Sequence, residues 1–397
     1  MTEPTGLSRR DMAGTIGRGA VAAGLLGLGA RGAWLSLEPS FASTSDARSS
    51  GGGLGRELRI GYLPITDASA LLVAHELGFL KEAGIASARP VMFRSWEALA
   101  QAFLVGEVDV VHLLMPLAIQ LTLQRKAPIR VLSWGHTNGS ALTVGQSTTR
   151  TEHLAGTKLA IPYWWSIHSV LAQQVLRQAG LTPVIREAAS AGRGTVELVV
   201  MPPAEMVSAL STGAIGGYVV AEPFGAVAEV KKIGHVHRFL GDVWREHACC
   251  VITVRQELID KHPGVAQGIT DAVVAAQTWL EGHRQEAGPT LTSSGKYLPQ
   301  PTPAVSKVFT RAQTPYAQVL KHRDWHGERL GFQAFPQPSY TTALVDALRT
   351  TRVDGSAGFL PADASSVHGE LVDDSFVRRS LSRAGVRITS RTEERES

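Results

Sequence analysis

From about residue 57 onward the apolar positions follow two alternating periods. Leu58-Arg-Ile-Gly-Tyr62, Ile129–Trp134, Ala141–Val144 and Lys158–Pro162 have the length and composition of buried strands. Between such runs, Ala68–Leu77, a stretch opening at Trp96 and a third running to about Gln178 repeat apolar residues every three or four positions, as amphipathic helices do. Asp67 is placed to cap the first of these, with Gly78 just past its end, and Ser95 and Ser166 stand ahead of the other two. Strand and helix in alternation predict βα units and mostly parallel sheets.

The pattern also repeats. Trp96–Gln120 reads as a helix, Gly106, a strand Val108–Leu113 and a helix opened by Met115-Pro116; Pro203–Val230 reads as a helix, Gly213, a strand Ile215–Val220 and a helix opened by Glu222-Pro223. Gly106 to Pro116 and Gly213 to Pro223 have equal spacing, and Leu99, Ala102 and Phe103 match Met206, Ala209 and Leu210. A glycine ends a helix where φ is positive, and a proline fits the first turn, where its missing N–H needs no partner. Two similarly built lobes facing each other across a cleft explain the repetition.

Composition narrows the field. A chain of 397 residues, 44% hydrophobic and 19% charged, buries enough to fold as two domains and is not a disordered polymer. Its two cysteines, Cys249 and Cys250, cannot alone make a disulfide framework or a four-ligand zinc site. They fall on a strand Cys249–Val254, whose adjacent side chains point to opposite faces; a shared metal is then awkward, a vicinal disulfide strained, and small buried side chains are the expectation. The formal charge of +4 is dispersed, so no nucleic-acid groove is indicated. Residues 1–42 read as an export signal: Arg9-Arg10, a weakly apolar stretch Ala20–Ala30, then Ser40-Phe41-Ala42 as a cutting site. This order resembles a twin-arginine (Tat) signal, which implies an extracytoplasmic, periplasmic protein. Residues 43–56 form a Ser/Gly-rich linker.

Gly61-Tyr-Leu-Pro-Ile-Thr-Asp-Ala-Ser69, Gly106-Glu-Val-Asp109, Thr137-Asn-Gly139, Ile161-Pro162 and Ala221-Glu-Pro-Phe224, in that order, resemble the nitrate/bicarbonate/sulfonate/taurine solute-binding proteins of ABC importers. The resemblance covers roughly 57–290 and implies an α/β, two-lobed type II periplasmic-binding-protein fold with the ligand in the cleft. Lobe one would be 57–148 plus 247–345, lobe two 149–246, and 346–397 a C-terminal extension ending in a flexible tail. Where the second repeat of the family commonly carries Asp, this chain has Gly216.

An oxyanion in a cleft needs N–H donors, fixed cations and helix N-termini. Trp96 offers an indole N–H, and a Trp contacts ligand at the matching place in the nitrate and bicarbonate binders. His136-Thr137-Asn138-Gly139-Ser140 supplies an amide and hydroxyls, with Asn138 and Ser140 as candidates. Tyr163-Trp164-Trp165-Ser166-Ile167-His168 brings aromatic rings and an imidazole to a strand end; His168 matches a family histidine, and Trp164 and Trp165 favour a solute larger than nitrate. Thr66 belongs to the first motif. Glu222 either orients ligand or bridges the lobes, and the helix dipole alone also favours it at a helix start. Arg245, where the nitrate binders have Lys, offers a bidentate fork, or else makes a surface pair with Glu246 or Asp242. Trp96, Ser140, His168 and Arg245 are expected to line one cleft.

The resemblance implies a non-catalytic receptor that passes a small anion or anionic organic solute to an ABC permease with its ATPase. It implies no cofactor and no metal, and a monomer is expected. The alternative is a binding protein for a thiamine-pyrimidine precursor or, further off, a pyrimidine synthase-like enzyme. His168 and Cys249-Cys250 keep that alternative open, although no Ser/His/Asp arrangement or metal-ligand spacing is visible. A sensory receptor of the same fold without a permease is a third reading. The segment His322-Arg-Asp-Trp-His326 reads as a solvated amphipathic stretch.

Overall fold

The computed structural model describes residues 53–396; the expected export signal, 1–42, and most of the expected linker lie outside them. Eleven strands follow one another among the described residues: β1 (Ile60–Tyr62), β2 (Val91–Met92), β3 (Val110–Leu114), β4 (Ile129–Trp134), β5 (Ser140–Gly145), β6 (Lys158–Ile161), β7 (Thr182–Val184), β8 (Thr195–Val200), β9 (Gly217–Ala221), β10 (Gly234–Phe239) and β11 (Cys250–Arg255). They form two sheets, in the orders β2-β1-β3-β11-β4 and β10-β5-β9-β6-β8-β7.

Read in the opposite direction and without β7, the second order becomes β8-β6-β9-β5-β10 and matches the first position for position. In each sheet the first three strands are parallel and the fourth is antiparallel to both its neighbours. Each fourth strand is supplied by the chain just after it leaves the other sheet. The repeat therefore builds two α/β lobes joined by two crossings.

The first crossing comes earlier than the sequence reading placed it. Lobe one was carried to residue 148, but β5 pairs with β9 from Ser140↔Ala221 to Val144↔Gly217 and belongs to the second sheet. Its apolar residues fill the fourth position there, and the crossing is confined to 135–139. The return runs from Trp244 to Cys249.

Gly106 and Gly213 occupy equivalent helix ends, at φ 81° and 72°, after helices Trp96–Leu104 and Pro203–Ser211. Three residues beyond Gly106, the buried Asp109 carboxylate gathers the guanidinium groups of Arg56, Arg59 and Arg255 and the Arg59 N–H. Three residues beyond Gly213 stands Gly216, and a Cβ there would come 2.4 Å from Thr157 Oγ1. The missing carboxylate is thus explained by packing: Thr157 occupies its space.

The C-terminal region is integral to both lobes. Helix Pro263–Gly282 packs on helix Ser69–Glu76, and helix Thr302–Thr310 packs on helix Phe224–Val230 of the second lobe. Residues 327–331 lie along the first crossing: Thr137 and Gly331 exchange backbone hydrogen bonds, and Trp325 Nε1 donates to the Gly241 carbonyl. The segment around His322 is therefore docked through Trp325 rather than solvated throughout.

The expected flexible tail is docked too. Glu393 accepts from Trp244 Nε1, the Arg395 guanidinium lies over the Trp244 ring, Glu396 pairs with Arg238, and Arg391 pairs with Glu246. Its alternating charges, which read as a disordered composition, meet partners of opposite sign on β10 and on the return crossing.

Candidate functional site

Both sheets present the same edge to each other. In parallel strands that edge is the carboxyl end; because β11 and β5 run antiparallel, their amino ends, Cys250 and Ser140, join it. Past β1 the chain turns through Thr66–Ala68, placing Asp67 there. The first crossing adds His136, and the return crossing adds His247 and Cys249. From the second lobe, Ser166 caps helix Ile167–Gln178 by accepting the Ser169 N–H at 3.0 Å, which sets His168 in the first turn.

These groups meet in the interior. His168 Nε2 lies 2.9 Å from Ser140 Oγ and 3.9 Å from Cys249 Sγ. His136 Nε2 lies 2.9 Å from Asp67 Oδ2. Cys250 Sγ is 3.8 Å from that same oxygen and 3.5 Å from Cys249 Sγ. The Trp96 indole meets the His112 ring edge-on at 5.5 Å. Every one of these side chains is buried. Even so, Trp96 Nε1, both His112 nitrogens, His136 Nδ1, His168 Nδ1, His247 Nε2 and Asp67 Oδ1 have no protein hydrogen-bond partner.

Burial decides most of the charges. Loss of water pushes His112 down to about 3, helped by His136, and pushes His247 down to about 3 despite its contact with the Trp244 carbonyl. His168 is held well below its ordinary value by burial, then by His247 and His136. His136 moves the other way: burial opposes its charge, but the adjacent Asp67 carboxylate outweighs burial and raises it to about 10. Both thiols are pushed up by burial, Cys250 to about 11. Burial thus favours neutral imidazoles at His112, His168 and His247 and protonated thiols, while Asp67 favours the charged form of His136; no lysine or arginine is among these groups.

Trp96, Ser140 and His168 lie in or beside this centre. Arg245 does not: its backbone N–H donates to the Glu394 carbonyl, and its half-exposed guanidinium pairs with the Glu394 carboxylate at 2.5 Å. The docked tail holds it on the outer side of the return crossing. Thr66 is engaged elsewhere, since its N–H and hydroxyl both donate to the Glu222 carbonyl, at 2.8 and 2.9 Å, and tie the two lobes together. The Glu222 side chain accepts the Ala226 N–H and forms a fully buried ion pair with Arg311 at 2.7 Å. Its bridging role thus falls to its backbone. Asn138 adopts φ 56° and donates from its side chain to the Arg329 carbonyl. Trp165 packs on Phe359 at 4.9 Å, and Trp164, half-buried, packs against the core.

Sequence reasoning singled out none of Asp67, His112, His136 and His247 as a site residue, and it expected Cys249 and Cys250 to be small buried side chains. Asp67 caps no helix: a short 3-10 turn precedes helix Ser69–Glu76, which leaves the carboxylate free for His136. Cys249 precedes β11, so the alternation that would set the two sulfurs on opposite faces does not apply to it. The one available signal was three histidines, His112, His136 and His247, each beside a predicted strand end or crossing.

A family model described as NMT1-like matches residues 54–291, more than half of the chain. The chain belongs to the NMT1-like family. This NMT1-like chain is 25% identical over 329 residues to the nitrate/nitrite binding protein NrtA of Nostoc sp., covering 77% of the chain and 71% of that relative. It is 28% identical over 253 residues to the nitrate import ATP-binding protein NrtC of Synechocystis sp., covering 59% of the chain but 37% of that protein. The solved structure of the periplasmic nitrate-binding protein NrtA from Synechocystis superposes with a TM-score of 0.70 at 19% identity, over 82% of this chain and 88% of that one. The NMT1-like chain thus has the two-lobed periplasmic-binding-protein fold, and the NrtA proteins it resembles are named as nitrate-binding proteins.

Proposed function

We propose that this chain is the solute-binding receptor of an ABC importer, capturing a small oxyanion or anionic organic solute between its lobes and passing it to a permease with its ATPase. The observation that carries this reading is the set of partnerless buried polar atoms where the two sheets face each other. Buried polar groups are nearly always hydrogen-bonded, so a concentration of orphans marks a place for a ligand. Trp96 belongs to one lobe, His168 and Ser140 to the other. A solute touching both is held fully only when the lobes close, which makes capture a population shift toward the closed form.

The donors suit a delocalised anion. An indole N–H, imidazole N–H groups and a hydroxyl supply directed hydrogen bonds without a lysine or arginine, now that Arg245 is outside. Likeness to nitrate-binding relatives supports the same ligand class. Residues 1–42 would direct export by the twin-arginine route, and changing Arg9 and Arg10 both to Lys should leave precursor in the cytoplasm.

The test is a thermal-shift screen of the purified protein against nitrate, nitrite, bicarbonate, taurine, an alkanesulfonate and a pyrimidine. A true ligand at a hundred times its dissociation constant stabilises by about 2.7 kcal/mol. A shift with the pyrimidine alone would replace the anion reading, and no shift with any of them would refute it.

A further inference from the structure

Four of the buried groups have a chemistry that anion capture does not use. Asp67, His136, Cys249 and Cys250 each offer a ligand atom, and these atoms all lie within 4.8 Å of one another. They come from three separate pieces of chain: the turn after β1, the first crossing, and the return crossing where it enters β11. We propose that they form a binding site for a thiophilic divalent cation of the zinc class.

The spacing of the four ligand atoms is close to what zinc requires. With zinc bonds of about 2.3 Å to sulfur and about 2.0–2.2 Å to nitrogen and oxygen, a tetrahedron has edges of roughly 3.8 Å for S–S, 3.5 Å for S–O and 3.4 Å for N–O. The corresponding separations here are 3.5 Å for Cys249 Sγ to Cys250 Sγ, 3.8 Å for Cys250 Sγ to Asp67 Oδ2, and 2.9 Å for His136 Nε2 to Asp67 Oδ2. These three edges lie within about 0.5 Å of the zinc values, and no pair of ligand atoms exceeds 4.8 Å, so shifts of about 1 Å or less complete the polyhedron. The donor set also selects the ion, since two sulfurs with an imidazole favour zinc over magnesium or calcium, which take oxygen.

Two observations separate this from a chance cluster. All four side chains are wholly buried, whereas adventitious groupings are usually exposed and acidic. Asp67 Oδ1 and His136 Nδ1 also lack protein partners, while Oδ2 and Nε2 face each other at 2.9 Å and Nε2 lies 3.3 Å from the Cys250 N–H. The ion would enter while the lobes are apart and then join both crossings to the loop after β1. The site goes beyond the anion reading and stands or falls independently of it.

The experiment uses the full chain, stripped with a chelator under reducing conditions, equilibrated with zinc sulfate and passed through gel filtration. Elemental analysis should find about one zinc per chain. Cys249→Ser, Cys250→Ser and His136→Ala should each weaken binding by at least about tenfold in competition with a chromogenic chelator. His283→Ala, which removes an exposed histidine stacked on Trp279 at 4.8 Å, should leave it unchanged. If the cysteine variants do not fold, cobalt added to the wild-type protein decides: tetrahedral ligand-field bands with thiolate charge transfer support the site. Less than about a tenth of an equivalent of zinc, binding indifferent to these substitutions, or a cobalt spectrum without thiolate ligation would overturn it.

Discussion

Replacing Arg311 by Met should cost this protein about 4 kcal/mol, within the range measured when one partner of a buried ion pair is removed. Arg311 and Glu222 are both 1% exposed, and their nearest atoms are 2.7 Å apart. At an effective dielectric of about 20 that separation corresponds to an attraction of roughly 6 kcal/mol, from which the loss of hydration subtracts. The Arg311 guanidinium also lies 4.9 Å from the Phe239 ring and 5.1 Å from the Tyr316 ring. Arg311→Met keeps much of that packing but strands the Glu222 carboxylate with the Ala226 N–H. Glu222→Leu strands the guanidinium in turn. The double variant leaves no uncompensated charge and should return to within about 1–2 kcal/mol of wild type. Urea unfolding followed by far-ultraviolet circular dichroism and by tryptophan fluorescence measures all four corners of the cycle, with coincident transitions as the condition for analysis. An Arg311→Met protein within about 1 kcal/mol of wild type, or a double variant as unstable as the sum of the singles, would refute a structural role for Glu222.

Further outcomes follow from the same structure. Arg245→Ala should leave ligand affinity within about twofold and stability within about 1 kcal/mol, because the pair with Glu394 is half-exposed; a larger loss by calorimetric titration would return Arg245 to the site. Gly216→Asp, although it restores the residue common in the resembling proteins, should destabilise by about 1–3 kcal/mol through its clash with Thr157; an unchanged denaturation midpoint would contradict this. In metal-free protein the neutral His112 and His247 have folded values of about 3, below the ordinary 6.5. Their contribution to stability is complete above about pH 6.5 and lost as pH falls towards about 3. Urea midpoints should therefore drop across that window, and drop less in His112→Phe.

Much of the fold was legible because its signals are local. The equal spacing of Gly106–Pro116 and Gly213–Pro223 marks two units, and Ser95 and Ser166 cap the helices that follow them. The place of β5 was not legible, since an apolar strand fits either sheet and only pairing with β9 decides. A third of the centre was reachable from the resemblance, namely Trp96, Ser140 and His168. Arg245 misled because its fate depends on Glu394, about 150 residues away in a tail whose composition resembles disorder. Asp67, His136 and the cysteines escaped because their juxtaposition comes from two chain crossings. No spacing in the sequence records that.

The central claim is that a solute is held between the lobes by Trp96, Ser140 and His168. Calorimetric titration of nitrate, nitrite, bicarbonate, taurine and an alkanesulfonate into wild type, Ser140→Ala, His168→Ala and Trp96→Phe tests it most directly. At least one of these anions should bind one-to-one. Each substitution should then weaken that binding by about tenfold or more, equal to about 1.4 kcal/mol, while the far-ultraviolet spectrum stays that of wild type. Binding that survives all three substitutions unchanged, or no binding of any of the five anions to the wild-type protein, would contradict it.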